Sequence, residues 1–174
     1  RDTSLGRANV FTLNYDTVIE QALDQLGIQY FDGFSGRIES RFDPSLYGLD
    51  LYYPGDVSEG RVRRFDKFLH FYKLHGSIHW TLTEDGKMIA KHSDLNRLNE
   101  WRSEKDINKK LVAFNDAWEE NNQRLGIMPT ANKFIQTLDA PYAHLFRAFH
   151  QRLHEPQTFA MVIGYGFGDE HVNQ

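Results

Sequence analysis

Three short stretches hold the side chains best suited to chemistry. In Lys73-Leu74-His75-Gly76-Ser77 an apolar, aromatic run (Phe68 to Leu74) delivers one histidine into a Gly-Ser turn. An imidazole there titrates near neutral pH and can take a proton from a sugar hydroxyl or a water. Val10 to Asp16 ends in Asn14-Tyr15-Asp16. The Asn14 carboxamide can hold a water or a hydroxyl by donating and accepting at once, and Asp16 can accept hydrogen bonds or stabilise developing positive charge. Met161 to Asp169 ends in Gly164-Tyr165-Gly166-Phe167-Gly168, where a backbone could approach phosphates or a ribose. Breaking an N-glycosidic bond passes through an oxocarbenium-like state, in which positioning outweighs a strong nucleophile. A histidine, an asparagine and a carboxylate suit that demand.

Each stretch also has a plainer reading. Asn14 and Asp16 serve equally as turn and helix cap. His75 and His79 have the spacing of a metal-binding helix, but they lie across a turn between extended segments, where four residues do not share a face. No metal is expected. The spacing of the glycine-rich run is not the dinucleotide fingerprint, and such a turn can be purely structural.

The elements that must position these corners follow from periodicity. Ala8 to Leu13 reads as a strand, and Val18, Ile19, Ala22, Leu23 and Leu26 fall at helical spacing until Gly27, with Asp16 as N-cap and Glu20 in the first turn. Ile28 to Phe31 is a second short strand. From Asp32 to Gly60, glycines, prolines and acidic residues punctuate aromatic runs, a loop-rich excursion whose rings are expected to close a small satellite core. Phe65 to Leu74 is a strand, and Ile78 to Ala90 a hairpin turning at Asp85-Gly86. Residues 93–126 read as a helical insertion with Leu95, Leu98, Trp101, Ile107, Leu111, Phe114, Trp118 and Leu125 on its apolar stripe and Gly126 after it. Pro141 opens a helix with Tyr142, Leu145, Phe146, Phe149 and Leu153 on its buried side. Thr158 to Ile163 is the last expected strand. Its nearly unbroken apolar run favours a parallel sheet covered on both faces. In such sheets ligands sit beyond the carboxyl ends of the strands, so the three corners together describe one site.

The 174 residues, 40% of them hydrophobic, suffice for one domain. A net charge of -4 leaves no basic footprint, so no direct nucleic-acid contact is expected. No apolar run has membrane-spanning length. The absence of cysteine excludes disulfides, zinc ribbons and thiol nucleophiles, and is compatible with a reducing, cytoplasmic setting.

Taken in order, the stretches resemble motifs of the sirtuin family, and specifically the bacterial sirtuin-like NAD-consuming domains of antiphage defence. Thr12-Leu13-Asn14-Tyr15-Asp16 is similar to the threonine-x-asparagine-x-aspartate motif, and Lys73 to Ser77 to the histidine-glycine motif. Gly164 to Asp169, with His171-Val172-Asn173, looks like the glycine-tyrosine-x-phenylalanine segment of the defence branch. The resemblance implies a Rossmann-like α/β fold over residues 1–174, with a parallel sheet and helices on both faces. It makes His75 the catalytic base and Asn14 the residue that orients water or ribose. Thr12, Tyr15, Asp16, Gly76, Gly164, Tyr165, Gly166 and Phe167 then contact NAD, with Asp16 towards the nicotinamide. Two departures bear on this. Deacylating sirtuins carry a four-cysteine zinc module where this chain has its helical insertion, which points to the hydrolase branch. The glycine-alanine-glycine loop that cradles the pyrophosphate should precede Arg1, so the chain reads as a fragment.

The implied activity is NAD hydrolysis to nicotinamide and ADP-ribose, depleting NAD during antiphage defence. The competing expectations are an NAD-dependent deacylase or ADP-ribosyltransferase, and a non-catalytic module that senses NAD or an ADP-ribose derivative. The resemblance also implies a homo-oligomer and a regulating protein, either an associated ATPase or a phage protein, and no membrane.

Overall fold

The computed structural model describes residues 6–37, 40–53, 63–82, 89–91, 106, 124–126 and 141–173. Its centre is strand β7 (Phe68–Lys73), whose sequence alternates between two covered faces. Strands β1 (Asn9–Thr12) and β2 (Gln29–Phe31) flank it, both parallel to it, in the order β1-β7-β2. Helix α1 (Val18–Gln25) carries the chain from β1 over β7 to β2. Gly27, at φ +62°, provides the left-handed turn that ends this helix.

Helices cover both faces, as expected for a Rossmann-like sheet. On one side Lys73 meets Glu20 of α1. On the other, Tyr72 lies under helix α2 (Tyr142–Leu153), which buries Tyr142, Leu145 and Phe146. Tyr72 is stacked between Phe11 (ring centroids 4.4 Å) and Tyr47 (4.1 Å), and Phe149 of α2 meets Phe11 edge-on at 5.1 Å. Each such pair contributes about 0.5–1.5 kcal/mol beyond the area it buries. The Phe68-to-Leu74 run is therefore a true core strand.

At Gly76, φ +86°, the chain leaves the parallel sheet and enters strand β8 (Gly76–Leu82). A second, wholly antiparallel sheet follows, ordered β10-β8-β9-β4-β3, with β3 (Phe34–Ser35), β4 (Ser40–Phe42), β9 (Ile89–Lys91) and β10 (Arg124–Gly126). The expected hairpin is the β8–β9 pair, with Leu82 opposite Ile89; Asp85 and Gly86 lie outside the described residues. The satellite core is also present: Phe34, Phe42 and Trp80 pack with centroids 5.2–6.1 Å apart. Tyr47, on a 3-10 helix (Pro44–Gly48), closes it. Gly33 makes this possible, because a Cβ there would sit 2.7 Å from both the Phe42 ring and the Tyr47 hydroxyl. A two-stranded ribbon, β5 (Tyr52–Tyr53) with β6 (Arg63–Arg64), completes the excursion.

Two expectations need correction. Leu125 and Gly126 do not end a helix; they belong to β10, antiparallel to β8, with Gly126 opposite Gly76. The open edge of β8 offers backbone partners, and pairing there overrides the weak helical pattern at the end of that stretch. Most of residues 93–126 lies outside the described residues. The second correction concerns Thr158 to Ile163, which is not a strand. Phe159 and Ile163 are each 83% exposed and Met161 72%. Thr158 caps the end of α2 by donating to the Arg152 and Glu155 carbonyls, and Gln157 turns the backbone with φ +61°. β-propensity cannot supply a neighbouring strand, and none pairs with this run among the described residues.

One buried histidine makes the fold sensitive to pH. His70, 4% exposed, shares a 2.9 Å hydrogen bond with the Leu49 carbonyl through Nε2, which must therefore carry the proton. Its Nδ1 has no partner among the described residues. Burial lowers its pKa, and the Leu49 bond only partly opposes that. The unfolded chain thus binds a proton at a pH where the folded chain still resists it. Stability is full above about pH 6.5 and declines as pH falls from there towards the lower folded-state value. Denaturant unfolding between pH 7.5 and 5.5 should show this loss, and His70→Gln should reduce the slope.

Candidate functional site

The parallel register of β1 on β7 sets the geometry. Thr12 lies opposite Lys73, and Asn14 and His75 each come two residues after that rung. Both therefore leave the carboxyl ends of adjacent parallel strands, where such sheets bind ligands. The two corners are joined by backbone and side-chain bonds. Leu74 N–H donates to the Thr12 carbonyl (2.9 Å) and Ile78 N–H to the Tyr15 carbonyl (3.1 Å). Ser77 Oγ donates to the same Tyr15 carbonyl at 3.3 Å. Within the first corner, Thr12 Oγ1 accepts from Asn14 N–H at 3.1 Å. Thr12 is buried, so its hydroxyl shapes the turn from inside.

Lys73 locks the arrangement. Its side chain, 3% exposed, donates to Glu20 Oε1 at 2.8 Å and also to the Asp16 carbonyl. Burial pulls the ammonium below its ordinary pKa range, while Glu20 opposes the shift. Glu20, expected only to complement the helix dipole, is thus the buried partner of the second motif's lysine. Asp16 Oδ1 accepts from Val18 N–H (3.0 Å), while the N-cap position itself falls on Thr17. The capping role read for Asp16 is therefore present, displaced by one residue.

His75 is 5% exposed and its ring lies 6.1 Å from that of Tyr15. Asn14 is exposed. The ends of two adjacent parallel strands thus carry a buried imidazole and an exposed carboxamide, groups able to accept a proton and to hold a hydroxyl or water respectively.

The third corner is joined less firmly. Gly164, Gly166 and Phe167 are exposed, with Gly164 at φ +66°. Tyr165 donates to the Asp169 carbonyl (3.1 Å) and lies 3.0 Å from Asn173 Oδ1, and Asn173 Nδ2 donates to the Phe167 carbonyl (2.9 Å). The loop is thus closed on its own short helix α3 (Glu170–Asn173). It also reaches the rest of the fold. Val172 packs against the main core, and the Asp169 carboxylate adds to the effect of burial in raising the Tyr15 pKa.

Two participants escaped the motif reading, Asp169 as a neighbour of Tyr15 and Tyr142 at the start of α2. In the sequence Tyr142 is one member of a buried stripe. Burial and then the nearby Tyr15 raise its pKa. A separate groove of about 640 Å³ lies between α2 and the 3-10 helix, lined by Pro44, Tyr47, Tyr72, His144, Arg147 and Arg152 among others, and none of the corner residues lines it.

A family model for the SIR2-like domain matches residues 8–174. The chain belongs to the SIR2-like family. A search of curated proteins finds no match. SIR2-like domains use NAD, so the activity of this one is NAD-related. No described helix is long and apolar enough to cross a membrane.

Removing one member of the buried ion pair leaves the other charge uncompensated. Lys73→Met should cost roughly 3–5 kcal/mol of unfolding free energy, whereas Lys73→Met with Glu20→Leu should recover a large part of it. Equilibrium denaturation of the three proteins measures the difference.

Proposed function

We propose that this SIR2-like domain hydrolyses NAD to nicotinamide and ADP-ribose. The observation that carries the reading is the convergence of His75 and Asn14 at the ends of adjacent parallel strands, fixed by the Thr12–Lys73 rung and the bonds beyond it. In the proposed reaction the bond from the ribose anomeric carbon to the nicotinamide nitrogen breaks, and nicotinamide leaves with the electron pair as a neutral molecule. Water held by Asn14 adds to the same carbon. His75 accepts the proton directly from that water or by way of a ribose hydroxyl. Asp16 and Tyr15, on the corner beside them, flank the nicotinamide riboside half.

The reading requires a cradle for the pyrophosphate. The outer edge of β1 carries no strand among the described residues, and the apolar run Thr158 to Ile163 is without one too. A glycine-rich strand and turn ahead of β1, lying between them, would satisfy both edges and bring the Gly164–Gly168 corner to the phosphates. In the cell we propose that the domain acts in antiphage defence by depleting NAD. Such an activity needs restraint, which oligomerisation and a regulating protein would supply.

In the full-length protein with its activating partner, Asn14→Ala and His75→Ala should each lower nicotinamide release from NAD by at least about 100-fold, the usual scale for a positioned acid–base group. Their circular dichroism spectra should match the wild type. Chromatography should identify free ADP-ribose as the second product; O-acyl-ADP-ribose or a modified protein would indicate deacylation or transfer. Wild-type rates in both variants would remove the assignment.

A further inference from the structure

The groove between α2 and the 3-10 helix takes no part in the proposed reaction, since none of the corner residues lines it. Its volume of about 640 Å³ nevertheless falls within the range of small-molecule sites. One wall is the outer side of α2, where His144, Arg147 and Gln151 recur at helical spacing and are exposed. The other is the 3-10 helix, with Pro44 and the buried Tyr47. Gly48 leaves that wall open, because a Cβ there would meet nothing within 4 Å.

Charge is unevenly placed along the groove. At one end Arg147 lies one turn from His144 and makes no ion pair among the described residues. At the other, Arg152 donates to Glu155 Oε1 at 2.6 Å, which neutralises that guanidinium and leaves carboxylate lone pairs for a second donor. In a chain of net charge -4, an unpaired guanidinium in a concave place is a local exception. A guanidinium fork matches a phosphate, the Ala148 and Pro44 walls suit a flat apolar ring, and a carboxylate accepts from an amino group. From His144 to Arg152 the helix rises about 12 Å, which suits a nucleoside monophosphate better than a dinucleotide.

We propose that this groove binds a nucleoside monophosphate, separately from the three corners. The phosphate meets Arg147 and His144, the base lies between Ala148 and Pro44, and its amino group donates to Glu155. Occupancy requires neither His75 nor Asn14, so the site is independent of the NAD-hydrolase reading.

The test uses AMP as the probe on the full-length protein, by calorimetry and by photo-crosslinking with 8-azido-AMP. The crosslink is expected within Pro44–Gly48 or within residues 141–155. Arg147→Glu should weaken AMP at this site by roughly tenfold or more, the scale of a lost charge-assisted hydrogen bond, with Tm unchanged because Arg147 is exposed. AMP should bind more tightly than either adenosine or inorganic phosphate. If AMP also occupies the corners, the titration shows two sites and the variant keeps the other. Equal AMP binding by Arg147→Glu overturns the proposal, as does a crosslink confined to the corner stretches or the absence of both heat and crosslink. Inorganic phosphate or adenosine binding as tightly as AMP overturns it too, since the groove then reads only one end of the ligand. Nicotinamide release is not measured, so the outcome holds whether or not the domain hydrolyses NAD.

Discussion

The Lys73 side chain leaves the central strand on the face covered by α1, and its ammonium is enclosed there with the Glu20 carboxylate and the Asp16 carbonyl. Desolvating an ammonium and a carboxylate costs several kcal/mol each, by general estimates. That cost is offset only if the strand, the corner after β1 and the first turn of α1 all keep their places. The pair therefore contributes constraint more than net stability. Because Lys73 lies two residues before His75, and Asp16 two residues after Asn14, the same constraint fixes the separation of the two groups that matter most for chemistry.

The aromatic stack on the opposite face has a complementary role. Phe11, Tyr72 and Tyr47 form one column through β1, β7 and the 3-10 helix, and Phe149 ties α2 to it. Sliding β1 by one residue on β7 would turn Phe11 away from Tyr72 and Thr12 away from Lys73, and a slip of that kind moves every side chain to the other face. Packing on one face and ion pairing on the other thus select the same register. The site inherits its geometry from that agreement.

What could be read from the residues alone was what local pattern determines. The strand-corner-helix unit around Asn14, the aromatic strand into His75, the hairpin after it and the buried stripe from Tyr142 all depend on short-range periodicity and turn chemistry. What could not be read depends on partners distant in sequence. Glu20 looks like an ordinary first-turn acid until Lys73 is placed beside it, and Leu125 looks helical until β8 offers an edge. Tyr142 has the appearance of one more apolar stripe residue, since nothing in a helical spacing tells whether a phenol's hydroxyl will find an acceptor. Whether that atom is buried is a tertiary property.

The run from Thr158 to Ile163 shows the same limit from the other direction. Its composition is that of a strand buried on both faces, yet its large side chains are exposed and no strand pairs with it among the described residues. An exposed apolar segment of this kind is unfavourable unless something covers it. The Gly164–Gly168 corner that follows it is linked to the rest of the fold through Val172, which packs against the main core. The corners that hold Asn14 and His75 are joined to each other by the bonds to the Thr12 and Tyr15 carbonyls and by Lys73. The glycine-rich corner closes on its own short helix instead, so it and the pair of corners that hold Asn14 and His75 are fixed by separable parts of the fold.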